Sequence, residues 1–111
     1  MNNLLQRVWD LSHESPLGFT VDTEMNKIAE GYSVAYEETQ DSFGYEGLRK
    51  VVEFAEKHGT CIGGWFDEVS GRYYFDATEV VKDKAEAIEV GKRNKQIAIF
   101  NLKTGKETRL K

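Results

Sequence analysis

The stretch GGWFDEVSGRYYFDA, residues 63–77, gathers side chains that could do acid–base chemistry. Asp67, Glu68 and Asp76 could act as an acid and a base if their surroundings separated their pKa values. Asp67 and Glu68 flank a turn, where carboxylates usually accept hydrogen bonds from turn amides. Asp76 stands inside a predicted strand, where aspartate is unfavourable. Asp76 is therefore the most anomalous residue, and a structural hydrogen bond from a backbone amide, Tyr or Trp is the alternative to a chemical role.

A thiol and an imidazole form a second candidate pair. His58 and Cys61 lie three residues apart and could provide a base and a nucleophile. The sequence places His58 at a helix end and Cys61 in the next strand, so their spacing does not align them, and helix-end and core roles account for both. His13, with Asp10 and Glu14, supplies too few ligands for a metal site. We predict no catalytic residue, no metal and no cofactor. Cys61 is the only cysteine, which excludes an internal disulfide.

Two stretches could bind phosphate or nucleic acid. SFGYEG, residues 42–47, precedes a helix but lacks the lysine of nucleoside-triphosphate loops, so it is interpreted as a helix entry. GRYYFDA lies where RNA-recognition domains carry stacking aromatics, yet Asp76 puts a negative charge beside that surface. The basic residues that would help lie in the C-terminal tail: Lys103, Lys106, Arg109 and Lys111.

The charge distribution also disfavours nucleic acid. The chain of 111 residues has a net charge of −4. Residues 1–46 hold nine carboxylates against two bases, and residues 47–111 hold thirteen bases against ten acids. An acidic chain repels phosphate backbones, so nucleic acid is an unlikely partner. The sequence shows neither an export signal nor an apolar run long enough to cross a membrane, so we expect a cytoplasmic protein with no membrane partner.

Apolar periodicity and turn signals define the elements that must position these residues. Gly59 should stop the second helix, Asp83 and Glu86 should cap the third, Asn94 should end it in a left-handed conformation, and Gly71 should adopt positive φ in a hairpin turn. Helices are predicted over residues 2–12, 48–58 and 83–95. Strands are predicted over residues 18–22, 32–39, 60–66, 72–81 and 96–102.

The order from residue 32 is strand, helix, strand, strand, helix, strand. This order is typical of α+β ferredoxin-like βαββαβ folds, with an antiparallel sheet and two helices on one face. We expect a single domain over residues 1–111. Residues 1–30 would add an N-terminal helix and a short hairpin strand, residues 31–102 the βαββαβ core, and residues 103–111 a basic tail.

The pleat of the predicted hairpin separates a core face from an open face. The side chains expected to point into the core are Ile62, Phe66, Tyr73, Phe75, Ala77 and Val81. The open face would then present Trp65, Tyr74 and Asp76, and these three residues are the binding candidates.

The N-terminal helix needs a packing surface. Leu4, Leu5, Val8 and Trp9 carry more apolar area than a short isolated helix keeps in water. The helix either covers Trp65 and Tyr74 within one chain, or it joins the open face in a dimer or partner contact.

Four tracts carry a resemblance to a known family: GFTVD, GYSVAYEETQDSFGYEGL, GGWFDEVSGRYYFDATEV and EAIEVGKRNKQIAIFNL. With these tracts the chain resembles small uncharacterised proteins of gut anaerobic bacteria, their phages and conjugative elements, and a related module occurs in large mobile-element proteins. That family has no established activity, so the resemblance implies a mobile-element setting and no catalytic residue.

These observations favour a non-enzymatic interaction or accessory protein of a mobile element or phage. It would bind a protein partner, or itself as a homodimer, through the open sheet face. One alternative is an RNA or single-strand binder that uses the open-face aromatics. The other is a small enzyme or ligand-binding module, which would need a concave pocket with Asp76 or Glu37 at its base and a perturbed pKa.

Overall fold

The protein is a mixed α+β fold in a computed structural model that describes residues 3–110. Residues 1, 2 and 111, at the ends of the predicted first helix and basic tail, lie outside the described residues. The described residues form three α-helices: α1 Asn3–Glu14, α2 Gly44–His58 and α3 Lys84–Arg93. The strands are β1 Phe19–Val21, β2 Tyr32–Ala35, β3 Ser42–Phe43, β4 Cys61–Asp67, β5 Arg72–Val81, β6 Ala98–Asn101 and β7 Glu107–Arg109.

Within residues 3–110, one antiparallel sheet contains seven strands, in place of the four-stranded sheet that the sequence predicts. Its order is β1-β4-β5-β2-β6-β7, and β3 also pairs with β5. The predicted hairpin before the main fold is wrong, because β1 pairs with β4 at the sheet edge and places Phe19 opposite Gly64. Gly64 has no side chain, and its absence leaves the room that the Phe19 ring occupies.

Strand β2 ends four residues earlier than the pattern over residues 32–39 predicts. A 3₁₀ turn at Glu37–Thr39 follows it. The buried Thr39 hydroxyl accepts the backbone N–H of Ala77 at 2.9 Å, which replaces the partner that a longer strand would supply. Pairing with β5 then resumes at Ser42–Phe43. The stretch interpreted as a helix entry therefore also contains a strand, and α2 begins directly after it at Gly44, before the predicted start at residue 48.

The described part of the basic tail forms a hairpin. The chain turns through Gly105, with φ 74°. Strand β7 then pairs with β6, with Arg109 opposite Ala98. This strand was not predicted, because KTGKETRLK has no apolar alternation.

The core lies between the helices and one face of the sheet. Helix α2 packs on β4 and β5, and α3 packs on β2, β5 and β6. Phe66 was predicted to point inward but is 46% exposed, because it lies next to the turn at the end of the β4–β5 hairpin. The other predicted core residues of the hairpin are buried or packed against the core: Ile62, Tyr73, Phe75, Ala77 and Val81.

Helix α1 lies on the helical side of the sheet, so the first of the two alternatives for this helix, that it covers Trp65 and Tyr74, is wrong. Its buried residues Leu4, Leu5 and Val8 join the core that α2 shares with β4 and β5. The following segment is fixed by the Tyr73 hydroxyl, which donates to the backbone oxygen of Ser15 at 2.8 Å. No helix in residues 3–110 packs on the opposite sheet face, which we call the open face.

The helix ends follow their predicted signals with one exception. Gly59 ends α2 in a left-handed conformation with φ 67°. The Asp83 carboxylate accepts the Glu86 N–H at 2.9 Å at the start of α3. Asn94 is not left-handed, because its side-chain amide donates to the backbone oxygen of Ala35 at 3.2 Å, and Lys95 adopts positive φ instead. None of the helices in the described part of the chain has the length and apolar character needed to span a bilayer.

Candidate binding groove on the open sheet face

The open face forms a groove with a volume of about 590 Å³. Its floor is low because the strands place small residues there: Ser33, Ala35, Gly63 and Ala98. Larger apolar side chains stand around this floor: Leu17, Ile28, Trp65, Ile97, Phe100 and Leu102. Several of them keep much of their surface in water, and Phe100 is 47% exposed. The arrangement offers apolar contact on both sides of a shallow centre.

The groove crosses the whole sheet. Its lining begins at Thr20 in β1 and reaches Glu107 in β7. Six strands lie side by side along this path. Neighbouring strands are about 4.8 Å apart, so the groove is roughly 24 Å long. This length exceeds that of a compact small molecule.

Asp76 lies on the groove floor, where Gly63 of β4 leaves space for its carboxylate. The two residues are opposite one another in the β4–β5 ladder. A Cβ atom added at Gly63 would lie 2.7 Å from Asp76 Oδ1. The indole N–H of Trp65 donates a hydrogen bond to the Asp76 carboxylate. Asp76 therefore has the structural hydrogen bond that its position in a strand required, and part of its surface still faces the groove.

The surroundings of Asp76 favour its neutral form. Loss of hydration raises its pKa to about 7, and the hydrogen bond from Trp65 opposes that rise. Among the described lining residues, Glu107 is the other carboxylate, and its Oε1 lies 3.6 Å from Arg109 Nη1. No lysine, arginine or histidine is among the described residues that line the groove. Asp76 is absent from the ion pairs found between described residues.

Aromatic rings continue from the groove along the open face. The rings of Trp65 and Tyr74 stack with centroids 5.3 Å apart. Phe43 meets Tyr74 edge-on at 5.9 Å, and the Arg72 guanidinium lies 4.5 Å from the Phe43 ring centre. Trp65 contacts both of the other predicted site residues, Asp76 through its N–H and Tyr74 through its ring. Tyr74 supports Trp65 from outside the groove and is not part of its lining.

The His58 and Cys61 pair is not assembled. The His58 ring packs on Phe54, with centroids 4.2 Å apart. Cys61 is half-buried in β4 opposite Thr78. Burial raises the pKa of the Cys61 thiol, and the charge of Asp22 raises it further. A nucleophilic thiol needs the opposite shift.

The other candidate clusters have structural roles. Asp67 accepts the Val69 N–H at 3.2 Å within the hairpin turn. Four residues of strand separate this turn from Asp76, a distance of roughly 13 Å, so Asp67 does not reach the groove floor. The His13 ring lies 2.8 Å from the backbone oxygen of Trp9. Within residues 3–110, no group of three or more His, Cys, Asp or Glu side chains could hold a metal ion.

Sequence reasoning missed most of the groove lining. The sequence pattern assigns Phe100 and Ile97 to a strand but not to one of its faces, and it predicts no role for Ser33 or Ala98. The signal that could have found them is the small size of Ser33, Ala35, Gly63 and Ala98. These residues become neighbours only after the strand order is known, so the signal does not appear within any one segment.

Comparisons with known proteins add nothing to this geometry. No family model matches the chain, and no curated protein or solved structure matches it either.

Proposed function

We propose that this chain is a non-enzymatic interaction protein that binds an extended segment of a protein partner in the open-face groove. The observation that carries the proposal is the groove itself, which crosses the sheet and is covered by no helix of residues 3–110. Exposed apolar side chains surround it, including Trp65 at 46% and Ile97 at 55%. Contiguous exposed apolar surface of this kind marks interaction sites.

A polypeptide segment fits the dimensions of the groove. An extended chain rises about 3.3 Å per residue, so roughly seven residues span the groove's estimated 24 Å. Side chains on alternate residues would point to the floor, which has room because its own residues are small. Nucleic acid fits poorly, because Asp76 and Glu107 would face its phosphates and the described lining offers no base to neutralise them.

The setting of this activity is also part of the proposal. The resemblance of GGWFDEVSGRYYFDA and the neighbouring tracts to small mobile-element proteins supports an accessory protein of a mobile element or phage, acting in the cytoplasm. We further propose that β2, α2, β4, β5, α3 and β6 form a ferredoxin-like unit. The order β4-β5-β2-β6 in the middle of the sheet supports this unit, which β1, β3 and β7 then extend.

Panning a random peptide library displayed on filamentous phage tests the proposal. The targets are the wild-type protein, Phe100→Glu and Phe66→Glu. The two phenylalanines are matched, because they are 47% and 46% exposed, yet Phe100 lines the groove and Phe66 belongs to the helical face. Circular dichroism should confirm that both variants fold.

The proposal predicts that the wild-type protein and Phe66→Glu enrich related peptides and that Phe100→Glu does not. No enrichment by the wild-type protein, or equal enrichment by Phe100→Glu, would contradict it.

Sedimentation equilibrium provides a second test, which shows whether the groove binds another copy of the chain. If the protein dimerises and Phe100→Glu alone abolishes the dimer, the occupant of the groove is a second copy of the chain, and the proposal of a separate partner fails.

A ligand-binding module or small enzyme is the second candidate. The observation that favours it is the position of Asp76, whose pKa is raised to about 7 on the floor of a concave site. Such a carboxylate could bind a small amine or exchange a proton near neutral pH. A fragment screen by ligand-observed NMR, compared with Asp76→Asn, tests this candidate. Small amines that bind the wild-type protein and not the variant would favour it, provided that the peptide panning fails.

A further inference from the structure

We infer that the partner segment places a lysine or arginine side chain over Asp76, between apolar residues that contact the two ends of the groove. This inference rests on the proposed function and names the chemistry of its partner. The occupant is thus a short basic and apolar stretch of a protein chain.

Asp76 has bonding capacity that the described chain does not use. A carboxylate offers about four acceptor sites, and Trp65 fills one of them with its indole N–H. None of the ion pairs between described residues includes Asp76, whereas Glu107 already faces Arg109. An ammonium or guanidinium group would supply both the missing charge and further donors, and charge-assisted hydrogen bonds of this type are strong.

The shape of the floor suits a long basic side chain. Gly63 leaves the carboxylate accessible from above, since a side chain at this position would meet Asp76 Oδ1. The carbon stem of a lysine or arginine can pack on apolar surface while its charged end reaches a polar group. Trp65 provides that surface directly beside Asp76, and its exposed ring can also attract a cation.

The apolar side chains around the groove floor indicate which residues of the partner segment should flank its basic residue. At the β1 side the lining includes Leu17 and Ile28, and at the β6 side it includes Ile97 and Phe100. Apolar side chains placed two or four residues before and after the basic residue would contact these groups, because alternate residues of an extended chain point to the same side. A metal ion is a poor alternative, because Asp76 is not part of a cluster of ligands within residues 3–110.

The sequences of the enriched peptides provide the first test. The panning is repeated with Asp76→Asn, which keeps the size of the side chain and removes its charge. Peptides enriched by the wild-type protein should share one lysine or arginine flanked by apolar residues, and peptides enriched by Asp76→Asn should lose that basic residue. Enriched peptides without a shared basic residue would overturn this inference and leave the proposed function intact.

A double-mutant cycle provides the second test. A peptide selected by the wild-type protein is synthesised with its basic residue and with norleucine in that place, and both affinities are measured by fluorescence anisotropy. Norleucine should weaken binding to the wild-type protein by at least about tenfold, because it leaves an enclosed carboxylate without its partner. On Asp76→Asn the same replacement should have an effect of about twofold or less.

Glu107→Gln separates recognition by Asp76 from general attraction to an acidic groove. At pH 8, where Asp76 is ionised, both substitutions remove one negative charge from the lining, but only Asp76 lies on the floor. Asp76→Asn should weaken the binding of the basic peptide several times more than Glu107→Gln does. Equal losses would overturn the inference, and failure of the wild-type protein to enrich any peptide would instead contradict the proposed function on which it rests.

Discussion

Replacing Asp76 with asparagine removes an enclosed carboxylate while keeping the oxygen that can accept the Trp65 N–H. The pKa of Asp76 rises from 3.8 to about 7 when its surroundings strip it of water. Below pH 3.8 the carboxyl is neutral in both the folded and the unfolded protein, so it does not lower the free energy of unfolding. As pH rises from 3.8 to 7, the unfolded state loses this proton first, and the stability of the folded state falls.

The size of the effect follows from the shift. A difference of about three pKa units between the folded and the unfolded state corresponds to about 4 kcal/mol in the free energy of unfolding. The folded protein loses this full amount of stability above pH 7. Since part of Asp76 faces water in the groove, we expect Asp76→Asn to raise the free energy of unfolding at pH 8 by about 2–4 kcal/mol. At pH 3.5 the wild-type protein and the variant should differ much less.

Urea unfolding followed by circular dichroism at pH 3.5, 5, 6.5 and 8 measures this difference. Glu89→Gln is the matched control, because it removes one negative charge from an exposed position on α3. The difference in the free energy of unfolding between Asp76→Asn and the wild-type protein should grow with pH. The corresponding difference between Glu89→Gln and the wild-type protein should stay small at every pH. A difference independent of pH, or a variant less stable than wild type at pH 8, would refute the assignment of Asp76 as an enclosed carboxylate without a counter-ion.

Four further predictions concern packing and binding. Gly63→Ala should lower the free energy of unfolding by about 1–3 kcal/mol, because the new Cβ would lie 2.7 Å from Asp76 Oδ1; an unchanged urea midpoint would show that the carboxylate moves aside freely. Thr39→Val should cost about 1–3 kcal/mol in the same assay, because it leaves the Ala77 N–H without an acceptor in a buried place; a neutral result would mean that water replaces the hydroxyl. Leu5→Asp should destabilise the protein by about 3 kcal/mol or more while the matched Leu17→Asp does not, because Leu5 is buried and Leu17 is 97% exposed; equal thermal shifts would contradict the packing of α1 on the core. A lysine-containing groove peptide should bind on the order of tenfold more tightly at pH 8 than at pH 6, because Asp76, with a pKa of about 7, must be ionised to pair with it; anisotropy titrations with equal affinities would argue against that pairing.

The parts of the fold that follow from local patterns were predicted well. Alternation in β5 assigned Phe75 and Ala77 to the core and Asp76 to the open face, and the structure agrees. Gly59 and Asp83 mark the helix ends where expected, because their signals act within one turn of chain. Fold class therefore needs little more than periodicity and caps.

The parts that depend on distant contacts were not predictable. The end of β2 is set by the Thr39 hydroxyl, whose partner Ala77 lies 38 residues away. The pairing of β1 with β4 depends on the space above Gly64, which no local signal reports. Helix α1 has an apolar face that fits either side of a sheet, so its sequence alone could not choose between them.

The candidate site was also predictable only in part, since local patterns identify some of its residues and distant contacts build the rest. Asp76 and Trp65 could be predicted as site residues because a charged and a large aromatic side chain are unusual on an open sheet face. The groove around them could not be predicted, because its floor is built from small residues of separate strands. Composition reveals an unusual residue, but only the strand order reveals the concave surface that gives it a role.

The two tryptophans allow the most direct test of the central claim, that a partner segment occupies the open-face groove. Trp65 lines the groove, and Trp9 lies on α1 at the helical face. In ¹H–¹⁵N spectra of the labelled protein, titrated with a peptide selected by panning, the indole N–H signal of Trp65 should shift strongly and that of Trp9 should stay in place. A shift of the Trp9 signal with no change at Trp65 would contradict the account.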